Sequence, residues 1–175
     1  HRDNMKRNIF IESCKRGYFG IAKSLVKKGA RIDALDSDGN NGMMLAAHGG
    51  YVNIVKFLFK KKVLDVNAKN KNGQTALFMA AMKDRSEVVG YLLKCKADLS
   101  IADVKGHTPL HIASMNGCFD SVEILAEQGA DEKAIDANGY TPFLLACAKG
   151  YDEIVKLFIE MYDKDIVNQV DSKHN

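Results

Sequence analysis

Residues 105–117 read KGHTPLHIASMNG, and 33 residues later the chain reads NGYTPFLLACAKG over 138–150. Both stretches pass from a polar turn through Thr-Pro into an apolar segment that ends at a glycine. Thr108 can cap a helix with its hydroxyl, and Pro109 suits the first helical turn because it has no amide hydrogen that needs a partner. The pattern predicts the start of a helix, and its return predicts a repeat.

Two series of markers keep this period along the chain. The turn residues ahead of the Thr-Pro position are Gly39, Gly73, Gly106 and Gly139, and the residues at the next break are Gly17, Gly50, Asp84, Gly117 and Gly150. Each copy continues into a second apolar segment, such as VEILAEQ at 122–128. The sequence therefore predicts an all-α stack of helix-turn-helix units.

The composition of each copy suits close stacking. Small residues fill the middle of the first predicted helix, where the chain has Ala46 and Ala47, Ala80 and Ala81, Ala113 and Ser114, and Ala146 and Cys147. The segments between copies, DSDGNN, NKNGQT, DVKGHT and DANGYT, are rich in the residues that tight turns with positive φ require. We expect these segments to project as β-hairpin fingers.

The period, the TPLH tetrapeptide, the small-residue pairs, the glycine within each repeat and DVNA at 65–68 together resemble the ankyrin repeat. The resemblance covers about residues 4–170 and implies an ankyrin-repeat solenoid. It implies five units, named here units one to five, followed by the start of a truncated repeat at 171–175. The units are 3–35, 36–69, 70–102, 103–135 and 136–170. Because the chain starts with His1 and stops within the next finger, we expect a fragment of a longer array.

Some copies depart from the pattern. Glu12 stands where later units carry an apolar residue, and a buried unpaired carboxylate is costly, so we expect unit one to be a cap with a polar outer face. Lys62, Asp84 and Lys96 replace glycines, and we expect strained or shifted backbone there. At the other end we expect Phe158 and Met161 to be partly exposed.

Composition bounds the class of protein. With 46% hydrophobic and 27% charged residues, the chain is typical of a globular domain. Residues 1–62 carry a net charge of +8 and the rest −5, which predicts a basic and an acidic end. No apolar run is long enough to span a membrane, and no signal peptide is visible. We expect a cytoplasmic or nuclear protein, on the cytosolic side if it belongs to a membrane protein, without direct membrane insertion or a nucleic-acid partner.

Residues that could carry chemistry favour structural roles. The spacing of the four cysteines fits neither a zinc site nor a disulfide framework, and we expect Cys14 and Cys147 to be buried and Cys95 and Cys118 more exposed. The chain has no Walker loop, no GxGxxG and no acidic metal cluster, and His-Arg-Asp at 1–3 lacks every other kinase element. We therefore expect no enzyme, no catalytic residue, no cofactor and no metal.

Two residues of the repeat motif have alternative roles. His111 of TPLH fits a hydrogen-bonding brace between adjacent turns better than a base or a metal ligand. Asn67 of DVNA resembles the asparagine that hydroxylases modify in some ankyrin proteins, although hydrogen bonding within the turn is the simpler role. Both assignments make these residues part of the scaffold.

The implied solenoid places the fingers and the first helices on one concave face, where we expect a partner to bind. Met82 and Met115, framed by lysines, favour a protein or peptide that is acidic and has apolar anchors. The expected partner-binding residues are Ser37, Asp38, Asn40, Lys71, Asn72, Gln74, Lys105, His107 and Tyr140 on the fingers, and Lys15, Arg16, His48, Met82, Lys83, Met115, Asn116 and Lys149 on the helices.

Three functions stay open at this point. The first is an interaction module that binds another protein through this face. The second is the cytosolic ankyrin segment of a larger membrane protein, such as an ion channel of the transient receptor potential type. The third is the substrate-recruiting domain of a multidomain enzyme. Long apolar spans elsewhere in the full-length protein favour the second, and a catalytic domain favours the third.

Overall fold

A computed structural model describes the backbone of residues 2–162 and the side chains of residues 9–162. Within this part of the chain there are ten α-helices and no strand, so the all-α prediction is confirmed. The helices are α1 Arg2–Arg16, α2 Phe19–Lys27, α3 Gly42–Gly49, α4 Val52–Lys60, α5 Ala76–Ala81, α6 Ser86–Lys94, α7 Pro109–Met115, α8 Phe119–Glu127, α9 Pro142–Lys149 and α10 Asp152–Met161.

The helices form two layers. The odd-numbered helices pack on one another in chain order and form the inner layer, while the even-numbered helices do the same in the outer layer. Each inner helix also packs on the outer helix that follows it. This is the arrangement of a helical-repeat solenoid, in which each unit contacts only its neighbours.

The inner helices begin where the sequence places their caps. In units two to five the side-chain oxygen at the N-cap accepts a hydrogen bond from the amide three residues on, which satisfies one of the amides left unpaired at a helix start. The bonds are Met44 N to Asn41 Oδ1 at 3.0 Å, Phe78 N to Thr75 Oγ1 at 3.2 Å, His111 N to Thr108 Oγ1 at 3.4 Å and Leu144 N to Thr141 Oγ1 at 3.3 Å.

Small side chains lie at the centre of the stack. Ala46, Ala80 and Ala113 are fully buried in successive inner helices, and larger residues of the outer helices, such as Leu58 and Leu92, complete the core. Alanine at these positions keeps the backbones of neighbouring helices close, because its side chain ends at Cβ. The predicted role of the small-residue pairs in close packing agrees with this burial.

The breaks between the helices of one unit are also contacts between units. A Cβ built on Gly17 would lie 2.5 Å from Cε1 of Tyr51 in unit two, and one on Gly117 would lie 2.7 Å from Cε1 of Tyr151 in unit five. Glycine is needed at both positions for two reasons. Its φ is positive, at 78° and 72°, and a tyrosine ring lies where a Cβ would be.

The structure reverses the predicted exposure of two cysteines, Cys118 and Cys147. Cys118 is buried, with Sγ 3.6 Å from the Met82 carbonyl oxygen, because its position at the break faces the preceding unit. Cys147 is exposed. Its equivalent in unit one, Cys14, is buried beside Gly42 of the next unit, whereas within the described residues no following unit covers Cys147.

The residues at the two ends of the stack compare with expectation as follows. Phe158 is fully buried, since its ring packs edge-on against Phe143 and stacks on Tyr162, so its predicted exposure is wrong; Met161 is exposed as expected. At the other end Glu12 is half-exposed, as its predicted solvent-facing position requires, and it forms an ion pair with Arg16. Unit one also exposes the apolar side chains of Ile9, Tyr18 and Ile21.

Lys62, Asp84 and Lys96 all adopt the left-handed backbone that the missing glycines predict, with φ of 54°, 51° and 62°. For a residue with a Cβ this conformation costs about 1–2 kcal/mol. Asp84 gains a compensating contact, because its Oδ1 accepts a hydrogen bond of 2.9 Å from Ser121 N in the next unit.

We expect Lys62→Gly and Lys96→Gly each to raise the free energy of unfolding by about 0.5–1 kcal/mol, because glycine removes the left-handed strain. Lys61→Gly is the matched control: Lys61 has φ −74° and ψ −15°, so glycine there should destabilise the chain. Urea unfolding followed by circular dichroism measures all three. Equal changes in the free energy of unfolding for Lys61→Gly and Lys62→Gly would contradict backbone strain at Lys62.

Candidate functional site

The segments between units form the predicted fingers, but they are tight turns rather than strand ladders, with one isolated bridge between Leu35 and Asn41. Two backbone hydrogen bonds close each turn. One, of 2.9–3.0 Å, runs from Asp36 N to Asn40 O, Asn70 N to Gln74 O, Asp103 N to His107 O, and Asp136 N to Tyr140 O; the other, of 3.0–3.2 Å, runs from the amide of the turn glycine back to the carbonyl oxygen of the first residue. The side-chain oxygen of the first residue also accepts bonds from the amides two and four residues on. These hydrogen bonds within each turn make the fingers rigid.

Backbone bonds also join each finger to the next. Lys71 N donates to the Asp38 carbonyl at 3.0 Å, Val104 N to the Asn72 carbonyl at 3.0 Å, and Ala137 N to the Lys105 carbonyl at 2.9 Å. The four fingers of units two to five therefore form one continuous edge alongside the inner helices. This edge and the exposed parts of the inner helices are called the inner face below.

Two of the predicted partner-binding residues form part of this framework. Asn40 is buried, donates to Asp36 Oδ2 at 2.9 Å, and accepts from Asn70 Nδ2 at 2.7 Å. His107 is buried between two carboxylates, with Nδ1 3.4 Å from Asp103 Oδ2 and Nε2 3.3 Å from Asp136 Oδ2. Both residues lie on the fingers as predicted, but they are buried there because their polar groups hold neighbouring fingers together.

His111 is the brace that the sequence predicts. Its Nδ1 lies 3.2 Å from the amide of Thr108, and its Nε2 lies 3.1 Å from the carbonyl oxygen of Tyr140 in the next finger. The neutral ring with a proton on Nε2 serves both contacts. Burial, the largest influence, lowers the pKa of His111 below the ordinary value. Asn67 is likewise structural, since its Oδ1 accepts from Asp98 N at 2.9 Å.

A cavity of about 390 Å³ opens on the inner face between units three and four. Phe78, Ile112 and Met115 are its apolar lining, and its polar lining is Asn72, Gln74, Asp103, Lys105 and His107, with Val104 at the finger tip. Five of the predicted partner-binding residues thus meet at one concavity: Asn72, Gln74, Lys105, His107 and Met115. Phe78 and Ile112 were not predicted, because their apolar character in a helical pattern indicates only core.

The far edge of the inner face, at the carboxyl ends of the inner helices, is basic. His48 is half-buried, and its pKa is lowered first by burial and then by the positive charges of Lys83, Arg85 and Lys15. These cations come from units one and three, on either side of His48. The guanidinium of Arg85 also donates to the His48 carbonyl oxygen at 3.3 Å.

The other predicted residues are spread along the inner face. Lys71 donates through Nζ to the Ser37 carbonyl at 2.7 Å, and Asn116 donates to the Met82 carbonyl at 3.1 Å, so both bridge units. Tyr140 is half-buried, and its carbonyl oxygen accepts the bond from His111. The exposed members are Lys15, Arg16, Ser37, Asp38, Lys71, Asn72, Lys83, Lys105, Asn116 and Lys149. The cavity between units three and four includes neither the residues of unit one nor Lys149 of unit five.

Two further features of the described residues bear on other classes of site. Between residues 2 and 162, no helix has both the length and the apolar character needed to cross a membrane. In the same part of the chain, no three His, Cys, Asp or Glu side chains are grouped so that they could hold a metal ion.

Comparison with known families gives a match over most of the chain. The sequence pattern described as ankyrin repeats (3 copies) matches residues 10–103, 62–136 and 95–171. Together the overlapping matches cover residues 10–171.

Individual relatives are similar over shorter stretches. The human photoreceptor ankyrin repeat protein is 38% identical over 67 residues, which are 38% of this chain and 15% of that protein. Human ankyrin repeat domain-containing protein 63 is 32% identical over 91 residues, 50% of this chain and 24% of the relative. The Drosophila melanogaster DNA replication inhibitor plutonium is 29% identical over 90 residues, 51% of each chain. The matched region thus spans about half of these relatives at most.

The lowered pKa values of His48 and His111 make stability depend on pH. Below the ordinary histidine value of 6.5 the unfolded chain binds more protons than the folded one, so the free energy of unfolding should fall as pH decreases through that value. Urea titrations at about pH 7.5 and about pH 5.5 measure the difference. We expect the free energy of unfolding to differ less between the two pH values in His111→Gln. His48→Gln should remove another part of this difference. An unchanged difference in His111→Gln would show that the brace is not kept neutral by the fold.

Proposed function

The chain belongs to the ankyrin repeat family, whose repeats are generally non-catalytic modules for protein interaction, and we propose that it binds a protein or peptide partner through its inner face. The partner would lie along the fingers and insert a side chain into the cavity between units three and four. This makes the chain an interaction module rather than an enzyme.

The observation that carries the proposal is the composition of that cavity. Met115 and Ile112 offer an apolar contact, while Asn72, Gln74 and Lys105 lie around it with hydrogen-bonding groups. Methionine adapts to different apolar shapes, and a small number of placed polar groups gives orientation. The volume of about 390 Å³ suits one large side chain with part of its backbone.

Charge supports an acidic partner. Lys71, Lys83, Lys105 and Lys149 are exposed along the inner face, and Lys83, Arg85 and Lys15 lie near enough to His48 to add to the lowering of its pKa that burial causes. A positive surface attracts negatively charged segments and speeds their association, more so at low salt. We therefore propose a peptide with an aliphatic or aromatic anchor and acidic residues on either side of it.

The state of the cysteines supports a reducing compartment. Cys14, Cys95, Cys118 and Cys147 are all free thiols in the structure. Disulfides are rare in the cytoplasm and nucleus, where thiols stay reduced. We propose that the chain works there.

Selection from a random peptide library displayed on phage, with the 175-residue chain as bait, tests the proposal. Enriched peptides should carry an apolar residue next to Asp or Glu. Their affinity, measured by fluorescence anisotropy, should fall at least about tenfold in Met115→Asp and in Lys105→Glu, because the first removes the apolar contact and the second reverses the charge.

Two substitutions outside the inner face are the matched controls. Met161→Asp changes an exposed methionine of α10, and Lys94→Glu changes an exposed lysine of α6, both in the outer layer. Both should bind as the unaltered chain does, and circular dichroism should show the same fold for all four variants. Unreduced affinity in Met115→Asp and Lys105→Glu would exclude the inner face as the site.

A further inference from the structure

The outer layer changes the sign of its charge along the stack. At the carboxyl ends of the outer helices, units one to three have a lysine where units four and five have a glutamate. The equivalent residues are Lys27, Lys60, Lys94, Glu127 and Glu160. In units one to three the next two positions add further lysines, which are Lys28, Lys61, Lys62 and Lys96. The seven lysines of units one to three are called the basic rim below.

The basic rim is continuous across three units. α2 packs on α4, and α4 packs on α6. Because these helices hold equivalent places in their units, they run in the same direction and their carboxyl ends lie at one edge of the outer layer. Helix axes in contact are about 8–10 Å apart, so the rim is about 20 Å long. All seven lysines are exposed, and the edge therefore presents a row of ammonium groups.

Acidic side chains of the chain do not pair with the basic rim. Among the described residues, none of the ion pairs includes any of the seven lysines. In the turns that follow the rim, Asp33 pairs with Arg31. Asp65 and Asp98 accept hydrogen bonds from amides of their own turns, at 2.9 and 2.8 Å. The positive charge of the rim is thus left for an anion outside the chain.

Two lysines of the rim lie where the backbone favours glycine. Units one and four have Gly29 and Gly129 at this position, with φ of 81° and 79°. Units two and three have Lys62 and Lys96 in the same left-handed conformation. Unlike Asp84, neither lysine has a side-chain hydrogen bond or ion pair to another described residue that would offset the strain. Strain of this kind is typical of positions kept for a function rather than for stability.

An apolar side chain is exposed beside the rim. Val63 directly follows Lys62 and is 55% exposed. Next to it, Nζ of Lys61 lies 5.2 Å from the ring centre of Phe57, which is half-buried. Cations around an exposed apolar group suit the boundary between lipid headgroups and acyl chains.

We propose that the basic rim binds the surface of a membrane that contains anionic lipids. Its lysines would lie among the negatively charged headgroups, and Val63 would reach below them. Such lipids are found in the cytoplasmic leaflet, and each lysine held near them strengthens binding about fivefold. The rim belongs to the outer layer, so a membrane and the peptide partner proposed for the inner face could be bound together.

The residue types favour a membrane over other polyanions. The rim contains no arginine, whose planar fork gives the bidentate contacts to phosphate that are common in nucleic-acid recognition. A lysine ammonium acts as a point charge, which suits mobile headgroups of mixed composition. Nucleic acids and acidic proteins also offer no apolar layer for Val63 beneath their charges.

Sedimentation with sucrose-loaded vesicles tests the proposal on the 175-residue chain. We expect binding to phosphatidylcholine vesicles that contain about 30% phosphatidylserine, and little binding to phosphatidylcholine alone. Binding should weaken as the salt concentration rises from about 0.05 to about 0.3 M, because salt screens the charges.

Variants of the rim separate charge from folding. Lys62→Gly combined with Lys96→Gly should bind the anionic vesicles at least about tenfold more weakly, although glycine relieves the backbone strain and makes the fold more stable. Lys60→Gln combined with Lys94→Gln should weaken binding as much. The matched control, Lys133→Gln combined with Lys156→Gln, removes the same charge from exposed lysines of units four and five and should bind as the unaltered chain does.

A tryptophan reporter locates the contact, since the chain has no tryptophan of its own. The emission of Val63→Trp should shift to shorter wavelength when anionic vesicles are added and should become protected from acrylamide. Ile159→Trp is the control. It replaces a residue of α10 that is 46% exposed, and its emission should not change.

Three results would overturn the proposal. The first is equal binding to the anionic and the neutral vesicles. The second is undiminished binding in both double variants of the rim. The third is tighter binding to duplex DNA or to polyglutamate than to the vesicles, compared per negative charge and lost in the same variants, which would assign the rim to a nucleic acid or an acidic protein.

Discussion

The close approach of successive inner helices is the constraint on which the rest of this structure depends. It is possible because Ala46, Ala80 and Ala113 end at Cβ and are fully buried between neighbours. The same spacing brings the fingers within hydrogen-bonding distance, as in the 3.0 Å bond from Lys71 N to the Asp38 carbonyl. A larger side chain in the helices would separate the units and break these bonds as well. Packing and the continuity of the inner face thus have one cause.

Rigidity of the fingers follows from how they use their polar groups. Asp103 accepts two amides of its own turn and also contacts His107, which reaches Asp136 in the next finger. Buried polar groups of this kind are costly unless they are paired, and here each is. In the proposed site, their pairing leaves recognition to the exposed lysines, to Asn72 and Gln74, and to the apolar lining of the cavity. A partner would therefore meet a surface whose backbone is already ordered, which reduces the entropy lost on binding.

The period and the helix caps were predictable from sequence because they depend on local patterns, such as Thr108 three residues ahead of the amide it binds. The exposure of individual residues was not. Asn40 is buried because Asn70, 30 residues away, donates to it, and that pairing depends on how two fingers align. Phe78 lines the cavity through its place beside the next finger, although its sequence context is that of any core residue. The site therefore required the contacts between units.

In a chain of stacked units, burial depends on the neighbour as much as on the residue itself. Tyr18 and Tyr51 occupy equivalent positions, yet Tyr18 is half-exposed and Tyr51 rests on Gly17. Cys14 and Cys147 show the same contrast at the opposite side of a unit. A repeat pattern in the sequence therefore predicts the position of a residue within its unit but not its exposure, which depends on the units beside it.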